Sequence, residues 1–150
     1  MIEVLSVLVL LGTGMVAGVL FAVAISVVPA LIAMPADRYV VTHKLLGKRY
    51  DRIMPFIVTG STLIDVLFAV LAGDTLHRTL FVVAAVMMAG VAVVSQTRNV
   101  PINNVVKSQD PDRIGPDWQD PRPSWRAWHL VRTSFAIAGC LFTAVALVLP

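Results

Sequence analysis

A single cysteine, Cys140, set inside an apolar stretch, leaves the chain without the makings of a disulfide framework, a redox pair or a zinc knuckle. Histidine is almost as scarce, with only His43, His77 and His129. No glycine-rich phosphate loop, nucleophile elbow or His-Glu-x-x-His sequence occurs, so nucleotide, serine-hydrolase and zincin chemistries lack their signatures. Charge is thin too. Only 14% of residues are Asp, Glu, Lys or Arg, against about 25% in soluble domains.

What the chain has in their place is hydrocarbon. Apolar residues make up 57% and mean hydropathy is +0.81, which is the composition of an integral membrane protein. Apolar stretches at about 4–29, 54–73, 79–97 and 130–149 are each long enough for the ~20 residues that cross a hydrocarbon core. They predict an all-α, four-span transmembrane bundle over residues 1–150, with a short interfacial helix after the first span and a long cytoplasmic loop before the fourth. The first stretch reads as a retained span, because it exceeds a signal h-region and no Lys or Arg precedes it.

Basic residues set the expected orientation. Five lie between spans one and two (Arg38, Lys44, Lys48, Arg49, Arg52), and six lie from the end of span three into span four (Arg98, Lys107, Arg113, Arg122, Arg126, Arg132). Arg78 alone lies in the other connection. The positive-inside rule then places loops 30–53 and 98–129 in the cytoplasm and both termini outside a plasma (inner) membrane. The net charge of +3 is therefore topology and affinity for anionic lipid, with no nucleic-acid partner implied.

Along the chain, Gly14, Gly18, Ala22 and Ser26 recur every fourth residue, a small-residue ridge for close helix packing that leaves homo-oligomerisation open. Pro29 and Pro35 are expected to end or bend span one. Residues 36–47 predict the interfacial helix, with Tyr39, Val41 and Leu45 towards lipid and Gly47 as its stop. Pro55 suits the first turn of span two. Asp65 falls about half way across the membrane and looks inward, either bonded to a hydroxyl of another helix or paired with Arg132 or a ligand. Gly73-Asp74-Thr75 predicts a tight turn. Pro101 predicts that the chain leaves span three near Val100 and exposes its Asn side chains. Lys107 to Ser124, with Asp110-Pro111, Gly115-Pro116 and Asp120-Pro121, reads as an irregular loop. Trp118 would anchor that loop at the interface, and Ser124 would cap span four.

Span four opens with Trp125-Arg-Ala-Trp128-His129-Leu-Val-Arg132. Positions 125, 128, 129 and 132 follow helical spacing, so two indoles, an imidazole and a guanidinium share a face that continues through Ala136, Gly139, Cys140 and Thr143. Ionisable groups at membrane depth point to function. With Arg98, Asn99, Asn103 and Asn104 brought to the same membrane face, the set suits an anion or enolate pocket: amides and guanidinium stabilise oxygen charge, imidazole takes a proton and indoles stack on a planar substrate. An aromatic belt is the plainer reading of Trp125 and Trp128. A two-histidine metal site from His43 and His129 with Asp37 or Asp51 is the alternative use of the histidines.

Arg98-Asn-Val-Pro-Ile-Asn-Asn104, followed by Trp125-x-x-Trp-His-x-x-Arg132, resembles the anthrone-oxygenase-like family of small four-span membrane proteins, across essentially the whole chain. The resemblance implies a membrane-bound oxygenase of aromatic polyketide pathways, oxidising an anthrone to an anthraquinone with O₂ as co-substrate and no further cofactor. In that scheme His129 removes the ring proton, Arg132 with Asn103 and Asn104 holds the enolate, and Trp128 stacks on the substrate. Trp125, Arg98, Asn99 and Asp65 complete its binding set. The opposing expectation is a non-catalytic membrane protein that binds or scaffolds a hydrophobic ligand or partner, with an Arg132–Asp65 pair and His129 capping Asn103.

Overall fold

The computed structural model describes residues 2–115 and 117–150 and, within them, contains helices and no strand. Four helices are long and apolar enough to cross a membrane: α1 (Ile2–Ala33), α2 (Ala36–Leu71), α3 (Thr75–Ser108) and α4 (Arg122–Val148). They form a ring in which α1 touches α2 and α4, and α3 completes the circuit. The protein is a multi-pass membrane protein. Its outward surface is hydrocarbon, with Phe56 and Val148 each 82% exposed, as lipid contact requires.

All four helices outrun their expected boundaries, and α1, α2 and α3 each run on through a proline. Before Pro29 and before Pro101 the helix widens into a π-turn, Val23–Val27 in α1 and Ser95–Asn99 in α3. Val28 N–H then reaches the Val23 carbonyl and Val100 N–H the Ser95 carbonyl. The wide turn makes room for a residue that lacks an N–H and crowds the preceding turn, so neither helix stops. The expected exit near Val100 is thereby corrected. Asn99 and Asn103 are buried inside a continuing helix.

The separate interfacial helix is corrected likewise. Residues 36–71 are one helix, with Pro55 in its interior and Gly47 in mid-course. Gly47 is a point of close approach, since a β-carbon there would lie 3.5 Å from Lys107 Cε of α3. Leu45 and Val41 are exposed as expected, but Tyr39 is buried.

Tyr39 is covered by the α3–α4 connection, which is irregular over residues 109–115 and 117–121, apart from a short 3₁₀ turn at Pro111–Arg113. Of the Gly115-Pro116 pair, Pro116 lies outside the described residues. Arg122 Nη1 donates to the carbonyls of Leu31 (3.2 Å), Ile32 (3.2 Å) and Met34 (2.6 Å) at the end of α1. Its guanidinium lies over both Tyr39 and Trp118 and pairs with Asp120 at 2.7 Å. That hydrogen bonding holds the Asp120 carboxyl below the usual carboxylate range. Trp118 thus packs against the bundle at Tyr39, where the sequence suggested an interface anchor. Ser124 does not cap α4, whose first N–H, from Arg122, goes to Asp120 Oδ1 at 3.0 Å. Arg122→Ala should lower the thermal stability of the detergent-solubilised protein by an amount equivalent to about 1.5–3 kcal/mol, the worth of charge-assisted bonds of this kind. Unchanged melting would show the clasp to be idle.

At the opposite end, Asp74 caps α3, accepting from the His77 N–H at 3.0 Å, and His77 Nε2 reaches the Leu149 carbonyl at 3.3 Å. The expected turn is present, and Ile2 and Leu147 border one cleft with Gly73, so both ends of the chain lie beside it.

The Gly14/Gly18 ridge does not serve the bundle. No atom lies within 4 Å of where a β-carbon would stand at either residue, and Ala22 and Ser26 are exposed. The inward face of α1 is instead Val9, Gly12, Thr13, Val16 and Leu20. Close approach falls to Gly12 against Ser61, Gly90 against Phe135 and Gly139 against Met88.

Asp65 is fully buried and accepts from Thr143 Oγ1, at 3.0 Å to Oδ1 and 3.3 Å to Oδ2. It pairs with a hydroxyl, not with Arg132. Thr143→Val should therefore weaken the α2–α4 contact by roughly 1 kcal/mol, read by unfolding in mixed micelles.

Candidate functional site

A cavity of about 590 Å³ opens within the bundle, lined by all four helices. Its walls are largely aliphatic, from residues such as Val19, Val23, Met54, Val58 and Val91. Five polar side chains dominate one region: His43, Asn103, Trp125, His129 and Arg132. Along α2 the cavity reaches the surface, where Leu46, Tyr50, Pro55 and Thr59 are exposed and also line it.

Trp125 organises this wall. Its ring stacks on His129 with centroids 5.1 Å apart and planes 6° from parallel, and meets His43 edge-on at 5.7 Å. Its Nε1–H donates to Asn103 Oδ1 at 2.8 Å, and its carbonyl accepts from Asn99 Nδ2 at 3.2 Å. The indole N–H is donor-only, so the Asn103 atom facing it must be oxygen. That same oxygen stands 3.1 Å from His43 Nε2. The His43 proton therefore sits on Nε2, and Nδ1 carries the lone pair.

His129 is defined as firmly, with a different result. Its Nε2 lies 3.0 Å from the Leu20 carbonyl, which only accepts, so Nε2 bears the hydrogen. Nδ1 accepts from Arg132, at 3.1 Å from Nε and 2.9 Å from Nη2. Arg132 Nη1 also donates to Ser95 Oγ at 3.3 Å. Both nitrogens of His129 are thus committed, and its lone pair faces a cation. The imidazole expected to take the substrate proton is hydrogen-bonded through both nitrogens, one of them to Arg132. Among the described residues no carboxylate lies within ion-pairing range of that guanidinium.

Of the residues singled out in the sequence, Asn103, Asn104, Trp125, His129 and Arg132 meet at the cavity. Asn99 sits behind Trp125, fully buried. Arg98 and Trp128 are outside it: the guanidinium of exposed Arg98 lies 4.6 Å from the Trp128 ring centre. Asn99 and Asn103, four residues apart, share the inward face and Arg98 lies off it, and Trp128 lies one helical step off the buried line of 125, 129 and 133. Asp65 is remote, held by Thr143. The two-histidine metal alternative does not assemble: His129 has no free nitrogen, and no three His, Cys, Asp or Glu side chains gather among the described residues. Neither contact of the scaffold alternative forms, since Asn103 serves His43 and Trp125. His43 and Ser95 were underrated. Reading 36–71 as one helix would have exposed His43, Gly47, Tyr50, Met54 and Val58 as one stripe.

Comparison with protein families matches residues 43–142 to the family described as anthrone oxygenase, two thirds of the 150-residue chain. The chain belongs to the anthrone oxygenase family. Comparisons with curated proteins and with solved structures give no match. In this anthrone oxygenase family member the matched region begins at His43 itself and runs past Arg132, so it contains every polar wall residue named above. All of α1 falls outside it and contributes the Leu20 carbonyl and aliphatic wall. Membership supports an oxygenase-like function in general.

Proposed function

We propose that the protein is a membrane-bound oxygenase that takes a flat phenolic, anthrone-type aromatic of polyketide character, stabilises its enolate and lets that enolate react with O₂. One observation carries the reading: Arg132 is a cation on the wall of a mostly aliphatic cavity, oriented by an imidazole nitrogen and a hydroxyl, with no carboxylate within ion-pairing range among the described residues. Such a group is preorganised for oxygen charge that develops on a ligand, and in a water-poor site its effect is far larger than in bulk water. The cavity volume falls within the range of small-molecule sites, whose walls are apolar with a few converging polar groups.

In the proposed reaction the substrate rings lie against the aliphatic wall beside Trp125, and the carbonyl oxygen turns to Arg132. Loss of a methylene proton places the electron pair on that oxygen. The electron-rich enolate passes an electron to O₂ and the radical pair joins at carbon. One oxygen atom stays as the new carbonyl and the other leaves as water with the two methylene hydrogens. O₂ is the oxidant, and the route draws on no other cofactor. Asn104, exposed at the rim, and Asn103 complete the polar side of the pocket.

Charge supports a cytoplasmic placement for the cavity end of the bundle in the inner membrane, with both termini outside. A hydrophobic substrate would then arrive from the inner leaflet along the exposed α2 mouth. The test is oxygen uptake and quinone absorbance with anthrone added to purified protein in detergent. Anthrone-dependent uptake above the uncatalysed background is expected. Protein that neither consumes oxygen nor binds the anthrone would overturn the reading.

A further inference from the structure

Proton removal needs an acceptor, and the wall offers few. His129 has spent both nitrogens, Asp51 is ion-paired with Lys107, and Asn103, Trp125 and Arg132 have no basic atom to give. His43 differs. Its Nε2–H is tied to Asn103 Oδ1, which leaves Nδ1 as an unprotonated nitrogen with no hydrogen bond among the described residues. The buried polar side-chain atoms that are sealed without a partner are Tyr39 Oη and Asn99 Oδ1. His43 Nδ1 is not among them although the residue is 95% buried, being 5% exposed. His43 lines the cavity, which places its imidazole beside a molecule held there. Tyr39 at 5.4 Å and Trp125 at 5.7 Å, both edge-on, hold the ring in this pose.

Resting on the oxygenase reading above, we infer that His43 Nδ1 is the atom that receives the substrate's methylene proton. The C–H bond breaks, its proton passes to Nδ1 and its electron pair moves to the carbonyl oxygen held by Arg132. The imidazolium so formed keeps its Nε2–H bond to Asn103. That oxygen also accepts from Trp125, so the acceptor is oriented by a donor that cannot itself titrate. The wall then divides its labour: His43 moves the proton, and His129 positions the cation that stabilises the product charge.

The decisive measurement separates proton transfer from oxidation. Wild-type protein, kept anaerobic in D₂O with an anthrone, should exchange the substrate's methylene hydrogens for deuterium faster than buffer alone, followed by NMR. His43→Gln keeps an N–H donor for Asn103 but has no basic nitrogen, and should lose about 10²-fold in exchange rate, the scale of a general base, with unaltered melting. His43→Ala should recover exchange with added imidazole, which a purely structural role would not allow. Full exchange by His43→Gln would overturn the assignment while leaving the oxygenase reading intact. Exchange in the wild type that His43→Gln loses, without any oxygen uptake in air, would uphold His43 and sink the oxygenase reading. Neither exchange nor uptake would sink both.

Discussion

Arg132→Gln should reduce anthrone-dependent oxygen uptake by about 10²–10³-fold, the loss found when a charge-stabilising donor is removed from an active site. Glutamine keeps an N–H for His129 Nδ1 at a similar reach, so the imidazole is not stranded and the fold should hold. What disappears is the positive charge. The effect should fall chiefly on kcat, because a neutral anthrone gains little from a cation and its enolate gains much. Arg132→Lys should fall between the two. Lysine restores charge but cannot keep a planar fork on both His129 and Ser95, so the point charge is left less well aimed. Steady-state oxygen-electrode kinetics with each purified variant check this. A near wild-type kcat in Arg132→Gln would remove the guanidinium from the mechanism.

The second large effect is expected at Asn103. One amide oxygen accepts from both His43 and Trp125, so Asn103→Leu strands two buried donors at once. Each stranded donor costs about 1–3 kcal/mol. Turnover should suffer as well, because the His43 proton is no longer tied to Nε2 and the free nitrogen no longer has a set direction. Asn103→Asp is the control, since a carboxylate still accepts from both partners. Melting curves should show Asn103→Leu well below wild type and Asn103→Asp closer to it. Equal melting of both variants would mean that water replaces the amide and that the hub is dispensable.

The four crossings were legible because each carries enough apolar residues to satisfy no other environment, and the inward stripe of α4 because small residues recur on one side of a helix. Helix ends were less legible. Pro29, Gly47, Pro55 and Pro101 all suggest breaks, yet two π-turns and two tolerated interior positions carry the helices through. A π-turn adds a residue to one turn, so it rotates everything beyond it. Arg98 and Asn103 are five residues apart, roughly 140° around a helix, so when Asn103 faces the cavity Arg98 does not. The Gly14 ridge misled for a related reason: spacing identifies a face but not what that face meets.

The same division runs through the chemistry. Composition and charge spacing were sufficient for a multi-pass membrane protein, and two short blocks of residues for its family, because both are properties of the chain read in order. Which nitrogen of which histidine is free could not be read that way. It depends on a donor-only indole in α4 setting an amide in α3, which sets an imidazole in α2, while a carbonyl in α1 sets the other imidazole. Hydrogen-bond polarity passes between helices only when they are packed, so which ring nitrogens of His43 and His129 are bonded was decided by tertiary structure.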